Sequence, residues 1–219
     1  MKHGSSNQKI LYIVRHGQTD FNAQGILQGK TIDAPLNQTG FQQMESFFEH
    51  YKSVPFDLVI TSELQRSIQS VQPFITSGIK HIIDERISEF SWGENEGKPL
   101  DAIIIHNYKK MLEAWNDGDL EACIPGGESG LSLQNRVKDF GDYLQYLEAD
   151  KILICTHGRT LKMLIVQLLG WEISQMESIR HSNAAMFELH FNNDTYELVK
   201  DNDLSHLPPH LRRDAAWDK

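Results

Sequence analysis

The stretch Lys9-Ile-Leu-Tyr-Ile-Val-Arg-His-Gly17 decides how the rest of the sequence is interpreted. Its first six residues are mostly apolar and β-branched, which is typical of a strand buried on both faces of a parallel sheet. The polar residues Arg15 and His16 follow at once. In a parallel α/β sheet, ligands bind beyond the carboxyl ends of the strands, so these two side chains are candidates for a binding site.

Short β-rich runs alternate with amphipathic segments along the chain, a pattern that predicts an α/β fold. We predict strands at 9–14, 57–61, 80–83 and 151–155, and a hairpin from the runs 184–191 and 195–200. Inward faces of helices are predicted from apolar spacing, namely Phe41, Met44, Phe48 and Tyr51; Leu64, Ile68, Val71 and Ile75; Ile104, Tyr108, Met111 and Trp115; and Leu133, Val137, Phe140, Leu144 and Leu147. The expected architecture has three layers, α/β/α, with a mostly parallel sheet closed by the C-terminal hairpin.

Two of the predicted helices begin at sequences that match a capping box. Thr39 stands three residues before Gln42, and Ser62 stands three residues before Gln65. In this motif the first side chain and the third helical side chain each accept a hydrogen bond from the other residue's backbone N–H. The first helix is therefore expected at about 40–52, and the second directly after the strand at 57–61.

The chain of 219 residues is long enough for a sizeable core, and we expect a single domain over 1–219. Its core is expected at about 9–200. The segment 93–130 is interpreted as an insertion that caps the sheet. Residues 201–219 contain two adjacent prolines and no apolar periodicity, so we interpret them as a tail that either drapes over the core or stays loose.

Charge and cysteine content narrow the function classes. The chain has 21 basic and 30 acidic residues and a net charge of −9, which argues against nucleic acid or an anionic membrane as a partner. Only Cys123 and Cys155 are present, and the second lies in a predicted buried strand, so a reducing, cytoplasmic location is expected. Residues 1–8 are polar, with no secretory signal visible, and no apolar run approaches the roughly 18 residues of a membrane span.

Basic side chains follow three of the predicted strands. Arg15 and His16 follow the first, Arg66 lies in the first turn of the helix after the second, and Thr156-His157-Gly158 follows the fourth. Helix N-termini beside them offer free N–H groups that favour anions. This combination suits a phosphoryl group, because arginine binds its oxygens in a fork and a neutral imidazole can attack phosphorus.

Five motifs occur in order over about 9–185: Arg15-His-Gly-Gln-Thr-Asp-Phe-Asn22; Leu27-Gln-Gly29 followed by Asp33-Ala-Pro-Leu36; Ser62-Glu-Leu-Gln-Arg-Ser67; Glu89-Phe-Ser-Trp-Gly93 with Glu96-Gly97; and Thr156-His-Gly158. Together they resemble the histidine phosphatase superfamily, which has the phosphoglycerate mutase-like fold. An Arg-His-Gly triplet alone carries little weight, whereas the ordered set is specific. Ile26 departs from the pattern, since many members carry an arginine there.

The resemblance implies a role for each matching residue. His16 resembles the nucleophile that becomes phosphohistidine, and Glu89 resembles the general acid that then serves as base. Arg15, Arg66 and His157 resemble the pocket that holds the phosphoryl oxygens. The remaining candidates for phosphate binding are Asn22, Gln28, Gly29 and Gly158. The implied scheme needs neither a metal ion nor another cofactor.

Structural explanations compete with these roles when each residue is taken alone. A histidine after a buried strand is more often structural, and the position of Arg66 relative to Leu64 on a helical wheel predicts an exposed side chain. Glu89 shares its loop with other glutamates, for which a solvated charge run is the ordinary explanation. We interpret Ser129 and Asn183 as cap and turn residues. Only the motifs favour a functional interpretation of these residues over a structural one.

The leading hypothesis is a metal-independent phosphatase that hydrolyses a small phosphorylated metabolite through a phosphohistidine intermediate. Phosphoglycerate mutase-type transfer is an alternative, although mutases usually carry His-Tyr-Gly where Phe90-Ser-Trp-Gly93 stands here. A protein phosphohistidine phosphatase is a further alternative, but such enzymes tend to be smaller and to lack a cap of this size. A non-catalytic binder of phosphorylated ligands would use the same basic pocket. The segment interpreted as a cap contains Lys98, Lys109 and Lys110, which are compatible with a second anionic group on the substrate. Exposed edges are compatible with a homodimer.

Overall fold

The computed structural model describes residues 9–192 and 194–212. The strands are β1 (Lys9–Arg15), β2 (Leu58–Thr61), β3 (Lys80–Ile83), β4 (Lys151–Thr156), β5 (Met186–Asn192) and β6 (Thr195–Asp203). The α-helices are α1 (Asp20–Gln24), α2 (Gln38–Tyr51), α3 (Gln65–Thr76), α4 (Ala102–Asn116), α5 (Gly130–Tyr146) and α6 (Gly158–Leu169). Short 3₁₀ turns occupy Glu85–Ile87, Gly93–Asn95, Ile173–Ser178 and Pro209–Leu211. Within the described residues, no helix combines the length and the apolar character needed to cross a membrane.

One six-stranded sheet, in the order β3-β2-β4-β1-β5-β6, organises the fold. Strands β1 to β4 run parallel, whereas β5 and β6 are antiparallel and close one edge as a hairpin. This confirms the predicted α/β architecture. The register pairs Arg15 with Thr156, and both Val14 and Thr61 with Cys155, so the carboxyl ends of β1, β2 and β4 lie level with one another.

The two faces of the sheet bury separate apolar clusters because successive side chains of a strand point to opposite faces. Leu11 and Ile13 of β1 belong to the larger cluster, with the inner faces of α4, α5 and α6. Tyr12 and Val14 belong to the smaller cluster, with α2 and α3. The helices therefore form layers on both sides of the sheet. The predicted inner face of α4 is confirmed, since all four of its side chains are buried. On α5 the first four predicted side chains are buried, whereas Leu147 is the C-cap residue beyond the helix and is only partly buried.

The predicted inner face of α2 is wrong at Phe41, which is 50% exposed. Gly40 lies against the backbone of Gln18, where a Cβ atom would be 2.1 Å from the carbonyl oxygen. This contact turns Gly40, Met44 and Phe47 inward and leaves Phe41 on the outside of the helix. The glycine therefore sets the rotation of α2 against the loop that follows β1.

Neither predicted capping box forms. Asn37 caps α2 instead, and its side-chain oxygen accepts a hydrogen bond from the Gly40 N–H at 2.9 Å. Helix α3 begins at Gln65, and Leu64, its N-cap residue, makes no side-chain hydrogen bond to the helix. The Gln65 N–H instead donates to Asp33 Oδ1 at 2.7 Å. The Ser62 hydroxyl contacts His157. Ser62, which favours a cap by sequence, thus contacts a histidine at the carboxyl end of the sheet instead.

The end of the chain differs in part from the predicted tail. Strand β6 continues to Asp203, three residues beyond the predicted end of the hairpin. The following segment drapes over α2, where Leu207 and Leu211 are buried and the Gln43 side-chain amide donates to the Leu211 carbonyl at 3.0 Å. Three predicted parts of the chain lie outside the described residues. They are the polar N-terminus at 1–8, Asn193 of the predicted hairpin turn, and 213–219 of the predicted tail.

Candidate active site

A narrow pocket opens at the carboxyl ends of β1 and β4. Six of the residues predicted from the sequence line it, namely Arg15, His16, Asn22, Gln28, Glu89 and Gly158. Its other lining residues are Ile26, Leu27, Trp92, Arg159 and His181. Arg66 and His157 lie behind this lining, fully buried, and Gly29 contacts Arg66. The structure therefore brings all nine predicted residues to one end of the sheet.

His16 is buried and held in one tautomer. Its Nδ1 lies 2.7 Å from the Gly17 carbonyl oxygen, and because a carbonyl can only accept, Nδ1 carries the proton and Nε2 keeps its lone pair. Burial lowers the pKa of His16 well below its usual value, and the nearby charges of Arg66 and Arg15 lower this pKa further. The ring is therefore neutral at neutral pH, which is the form of imidazole that can act as a nucleophile.

The backbone around His16 is fixed from several directions. The His16 N–H donates to the Thr156 carbonyl at 3.1 Å, which ties the end of β1 to the end of β4. The Asn183 side chain donates to the His16 carbonyl at 3.1 Å and to Asn22 Oδ1 at 3.2 Å. At Gly17 a Cβ atom would lie 2.7 Å from the Gly40 carbonyl oxygen, so the loop packs directly on α2. Asn183, which we interpreted as a turn residue, thus also supports the site.

Arg66 is completely buried, contrary to its position on a helical wheel. Its guanidinium donates to the Ile32 carbonyl at 2.7 Å and to the Gly29 carbonyl at 3.2 Å. With the Gln28 amide oxygen oriented toward it, Arg66 Nε also donates at 2.8 Å. Burial lowers the pKa of Arg66 to about 10, which leaves it charged at neutral pH. The loop between α1 and α2 covers the first turn of α3, and a helical wheel carries no information about that loop.

His157 lies beside His16, with ring centroids 5.1 Å apart. Its Nε2 is 2.7 Å from Ser62 Oγ, which also accepts a hydrogen bond from the Leu64 N–H at 3.2 Å. Its Nδ1 is buried and has no hydrogen-bond partner within the described parts of the chain. Burial lowers the pKa of His157 well below its usual value, and Arg66 and His16 contribute to this shift, so this ring is also neutral.

Glu89 is fixed at the N-terminus of α6. Its Oε1 accepts hydrogen bonds from the backbone N–H groups of Phe90 at 2.8 Å, Arg159 at 3.1 Å and Thr160 at 3.3 Å. The N–H groups of a first helical turn have no partners within the helix and favour negative charge. The Thr160 hydroxyl also donates to the Ser88 carbonyl at 2.6 Å, which fastens the loop to the helix. These bonds leave Oε2 of Glu89 for the pocket.

The loop between β1 and α2 is built around α1. The Thr19 side chain accepts from the Asn22 N–H at 3.2 Å, and Asn22 Oδ1 accepts from the Thr19 N–H at 3.2 Å, so this short helix carries a capping box. Thr19 Oγ1 also lies 2.8 Å from the Gln28 amide. The close fit of Gly158 on the other wall, where a Cβ atom would be 2.7 Å from His181, completes the packing.

Sequence reasoning missed one cluster beside the pocket. The Arg159 guanidinium pairs with Glu177, and it lies over the ring of Tyr108 with its central carbon 4.4 Å from the ring centroid. The centroid of the Trp92 ring lies 5.9 Å from the same carbon. Arg159 follows the Thr156-His-Gly158 motif directly, so the rule that selected other residues at strand ends applies to it as well. Glu177 has no comparable signal in the sequence.

Among residues 9–192 and 194–212, no group of three or more histidine, cysteine, aspartate or glutamate side chains is placed so that it could hold a metal ion. Ser129, by contrast, behaves as predicted. It caps α5 by accepting a hydrogen bond from the Ser132 N–H.

Comparison with known proteins agrees with the geometry of the pocket. The profile of the family described as "Histidine phosphatase superfamily (branch 1)" matches residues 11–204. The chain is 29% identical over 199 residues to "Putative phosphoserine phosphatase 2" of Hydrogenobacter thermophilus (strain DSM 6534 / IAM 12695 / TK-6), and this match covers 90% of the chain and 97% of the relative. It is 36% identical over 139 residues to "Fructose-2,6-bisphosphatase TIGAR" of Xenopus tropicalis, a match that covers 61% of the chain but only 49% of that relative.

A solved structure shows the same fold. A mutant of phosphoserine phosphatase from Entamoeba histolytica, in complex with phosphoserine, superimposes with a TM-score of 0.78 at 26% sequence identity. The match covers 91% of this chain and 100% of that one.

Proposed function

The chain belongs to the histidine phosphatase superfamily, and from this premise we propose that it hydrolyses small phosphomonoesters without a metal ion, through a phosphohistidine at His16. Relatives that match most of its length are named as phosphatases, which supports the hydrolase class. One observation carries the proposal. His16 is a buried, neutral histidine whose Nδ1 proton is bound to the Gly17 carbonyl, which leaves Nε2 free to attack.

In the first step, Nε2 of His16 forms a bond to phosphorus while the bond from phosphorus to the ester oxygen breaks. Arg15 and Arg66 supply positive charge to the phosphoryl oxygens, whose charge is redistributed in the transition state. We assign the proton of His157 to Nδ1, because Ser62 can donate its hydroxyl proton to Nε2. Asn22 and Gln28 line the same side of the pocket and complete the set of donors.

Glu89 transfers the protons. Its free oxygen gives a proton to the departing alkoxide, and the resulting carboxylate then removes a proton from the water that attacks phosphohistidine. Inorganic phosphate leaves, His16 returns to its neutral form and Glu89 is protonated again for the next cycle. The three backbone N–H groups on Oε1 hold the carboxyl in one orientation throughout, so its movement is limited.

The test is phosphate release from p-nitrophenyl phosphate and from 3-phosphoglycerate in the presence of a chelator. We compare the native chain with His16→Ala and with His106→Ala, a control in which an exposed histidine on α4 is removed. The proposal predicts release by the native chain and the control, and a loss of at least about 10³-fold in His16→Ala. Undiminished release by His16→Ala, or release that requires an added divalent metal, would contradict it. If none of the three proteins releases phosphate, the result would favour a mutase or a protein that binds phosphorylated ligands without catalysis.

A further inference from the structure

Four residues that line the pocket have no part in the proposed phosphoryl chemistry. Ile26, Leu27 and Trp92 are apolar, and Arg159 carries a positive charge. Arg159 is the residue whose backbone N–H donates to Glu89 at 3.1 Å. Because Glu89 is the proposed acid for the departing alcohol, Arg159 lies on the side of the pocket where the alcohol part of a substrate would be bound.

The Arg159 side chain is held rigidly in this position. Its side chain is only 8% exposed, and Tyr108 of α4 covers one face of the guanidinium. Glu177 takes one side of its hydrogen-bonding fork, and the Tyr108 hydroxyl donates to the same Glu177 oxygen at 3.1 Å. A guanidinium presents five N–H donors, so pairing with Glu177 leaves donors for a second acceptor in the pocket.

Glu177 is not the partner of Arg159 alone. It is shared with a second buried cation, Lys162, whose side chain is 5% exposed and whose Nζ lies 3.3 Å from Glu177 Oε2. Glu177 itself is 40% exposed, so water weakens its interaction with both cations. A carboxylate bound in the pocket would give the Arg159 guanidinium a second anionic partner.

We propose that Arg159 binds a carboxylate on the alcohol part of the substrate, so that the preferred substrates are small phosphate esters of hydroxy acids or amino acids. This inference rests on the proposed phosphatase function of the same pocket. A carboxylate fits better than a second phosphate because it carries one charge, which matches a guanidinium already shared with Glu177. A dianionic phosphate would call for further cations on this side of the pocket.

The cap lysines do not provide those cations. Lys98, Lys109 and Lys110 are exposed, and none of them lines the pocket. The sequence suggested them as partners for a second anionic group, whereas the structure points to Arg159 on α6. The structure therefore favours one buried guanidinium over three exposed ammonium groups as the partner of a second anionic group, and the fork geometry of a guanidinium suits a carboxylate.

The experiment compares pairs of esters that differ only in the carboxylate. O-phosphoserine is compared with O-phosphoethanolamine, and 3-phosphoglycerate with glycerol 3-phosphate. A charge-assisted hydrogen bond to a buried arginine predicts that kcat/KM is about 10- to 100-fold higher for the carboxylate member of each pair. Propane-1,3-diol bisphosphate and propyl phosphate form a third pair that measures any preference for a second phosphate.

Two variants locate the effect. Arg159→Met keeps an unbranched side chain beside Tyr108 but removes the charge, and it is expected to bring the ratio of kcat/KM values within each carboxylate pair close to one. Lys162→Met is the matched control, because it removes a cation that pairs with the same Glu177 but does not line the pocket. It is expected to keep the ratio within about threefold of the native value. Arg159→Lys, which keeps the charge and loses the fork, should give an intermediate ratio and serves if Arg159→Met does not fold.

The outcomes separate this inference from the proposed function. One outcome is that the native chain hydrolyses p-nitrophenyl phosphate in a His16-dependent way, but its kcat/KM ratio within each carboxylate pair is near one. This result would overturn the role of Arg159 and leave the phosphatase proposal standing. A larger preference for the bisphosphate than for the carboxylates, or an unchanged ratio in Arg159→Met, would also overturn it. If no ester is hydrolysed, the proposed function fails and the inference fails with it.

Discussion

The two sides of the pocket are built in different ways. The proposed phosphate side consists of residues at the ends of β1 and β4, in the loop after β1 and in the first turn of α3, so short sequence motifs carry it. The proposed alcohol side is assembled around Arg159 from Trp92, Tyr108 and Glu177, which come from three separate segments. Backbone and side-chain hydrogen bonds at the strand ends fix the first side, and an ion pair and ring contacts between distant segments fix the second.

In the proposed reaction, this difference separates the chemical step from substrate selectivity. The level strand ends and the N-terminus of α6 would place the proposed reacting groups whatever the alcohol part of the ester is. The Arg159 cluster, in contrast, depends on how α4 and the turn that carries Glu177 pack beside α6. We therefore expect changes on the phosphate side to affect all esters alike, and changes on the alcohol side to affect some esters more than others.

Replacement of Glu89 by glutamine should give the largest difference between esters. Glu89→Gln keeps the shape of the side chain but removes the proton that the departing alkoxide needs. The expected loss in kcat/KM is about 10²- to 10⁴-fold for alkyl phosphates and much smaller for p-nitrophenyl phosphate, whose leaving oxygen is already stable. Steady-state kinetics with the two ester types measure this difference, and equal losses for both would contradict the assignment of Glu89 as the acid.

Replacement of Arg66 by lysine tests whether the phosphate side is indifferent to the alcohol. The buried guanidinium donates to Ile32 and Gly29, a geometry that a lysine cannot reproduce. Arg66→Lys should lower kcat/KM by about 10²-fold for every ester and leave the ratio of O-phosphoserine to O-phosphoethanolamine unchanged. A variant that loses activity on only one member of the pair would show that the two sides are not separable.

The smallest expected effect concerns stability and pH. Burial lowers the pKa values of His16 and His157 in the folded chain, whereas in the unfolded chain both titrate near about 6.5. The unfolded state therefore takes up more protons as the pH falls below that value. The contribution of these residues to stability is present above about pH 6.5 and is lost toward lower pH, by up to about 1.4 kcal/mol per pH unit for each histidine.

Denaturant unfolding of the native chain and of His157→Gln between pH 7.5 and pH 5 measures this dependence. The variant should lose less stability over that range than the native chain, because one titrating group has been removed. Equal slopes in the two proteins would show that His157 does not contribute to the acid sensitivity of the chain.

The sequence predicted the phosphate side more completely than the alcohol side, for physical reasons. Strand ends of a parallel sheet meet at one edge, so Arg15, His16 and His157 could be placed together from the order of the strands. Helical periodicity was misleading for Arg66, whose burial comes from the loop that covers α3, and the family motif identified it instead. Phe41 was misplaced because the close approach of Gly40 to Gln18 sets the rotation of α2.

The alcohol side could be predicted only in part. The apolar spacing of α4 places Tyr108 on the inner face, but it does not show that the tyrosine ring covers a guanidinium on α6. The pairing of Arg159 with Glu177 joins a helix to a 3₁₀ turn with no motif to mark it. Such contacts depend on the packing of segments that are distant in sequence, and local patterns do not record that packing.

In the proposed reaction His16 carries the phosphoryl group, and the direct measurement is to trap it. Native chain and Glu89→Gln are quenched at alkaline pH during turnover of p-nitrophenyl phosphate, and the phosphorylated residue is mapped by mass spectrometry. We expect an acid-labile phosphoryl group on Nε2 of His16, at higher occupancy in Glu89→Gln because the water that releases it lacks its base. A phosphoryl group on another side chain, or a burst of nitrophenol with His16 unmodified, would contradict it.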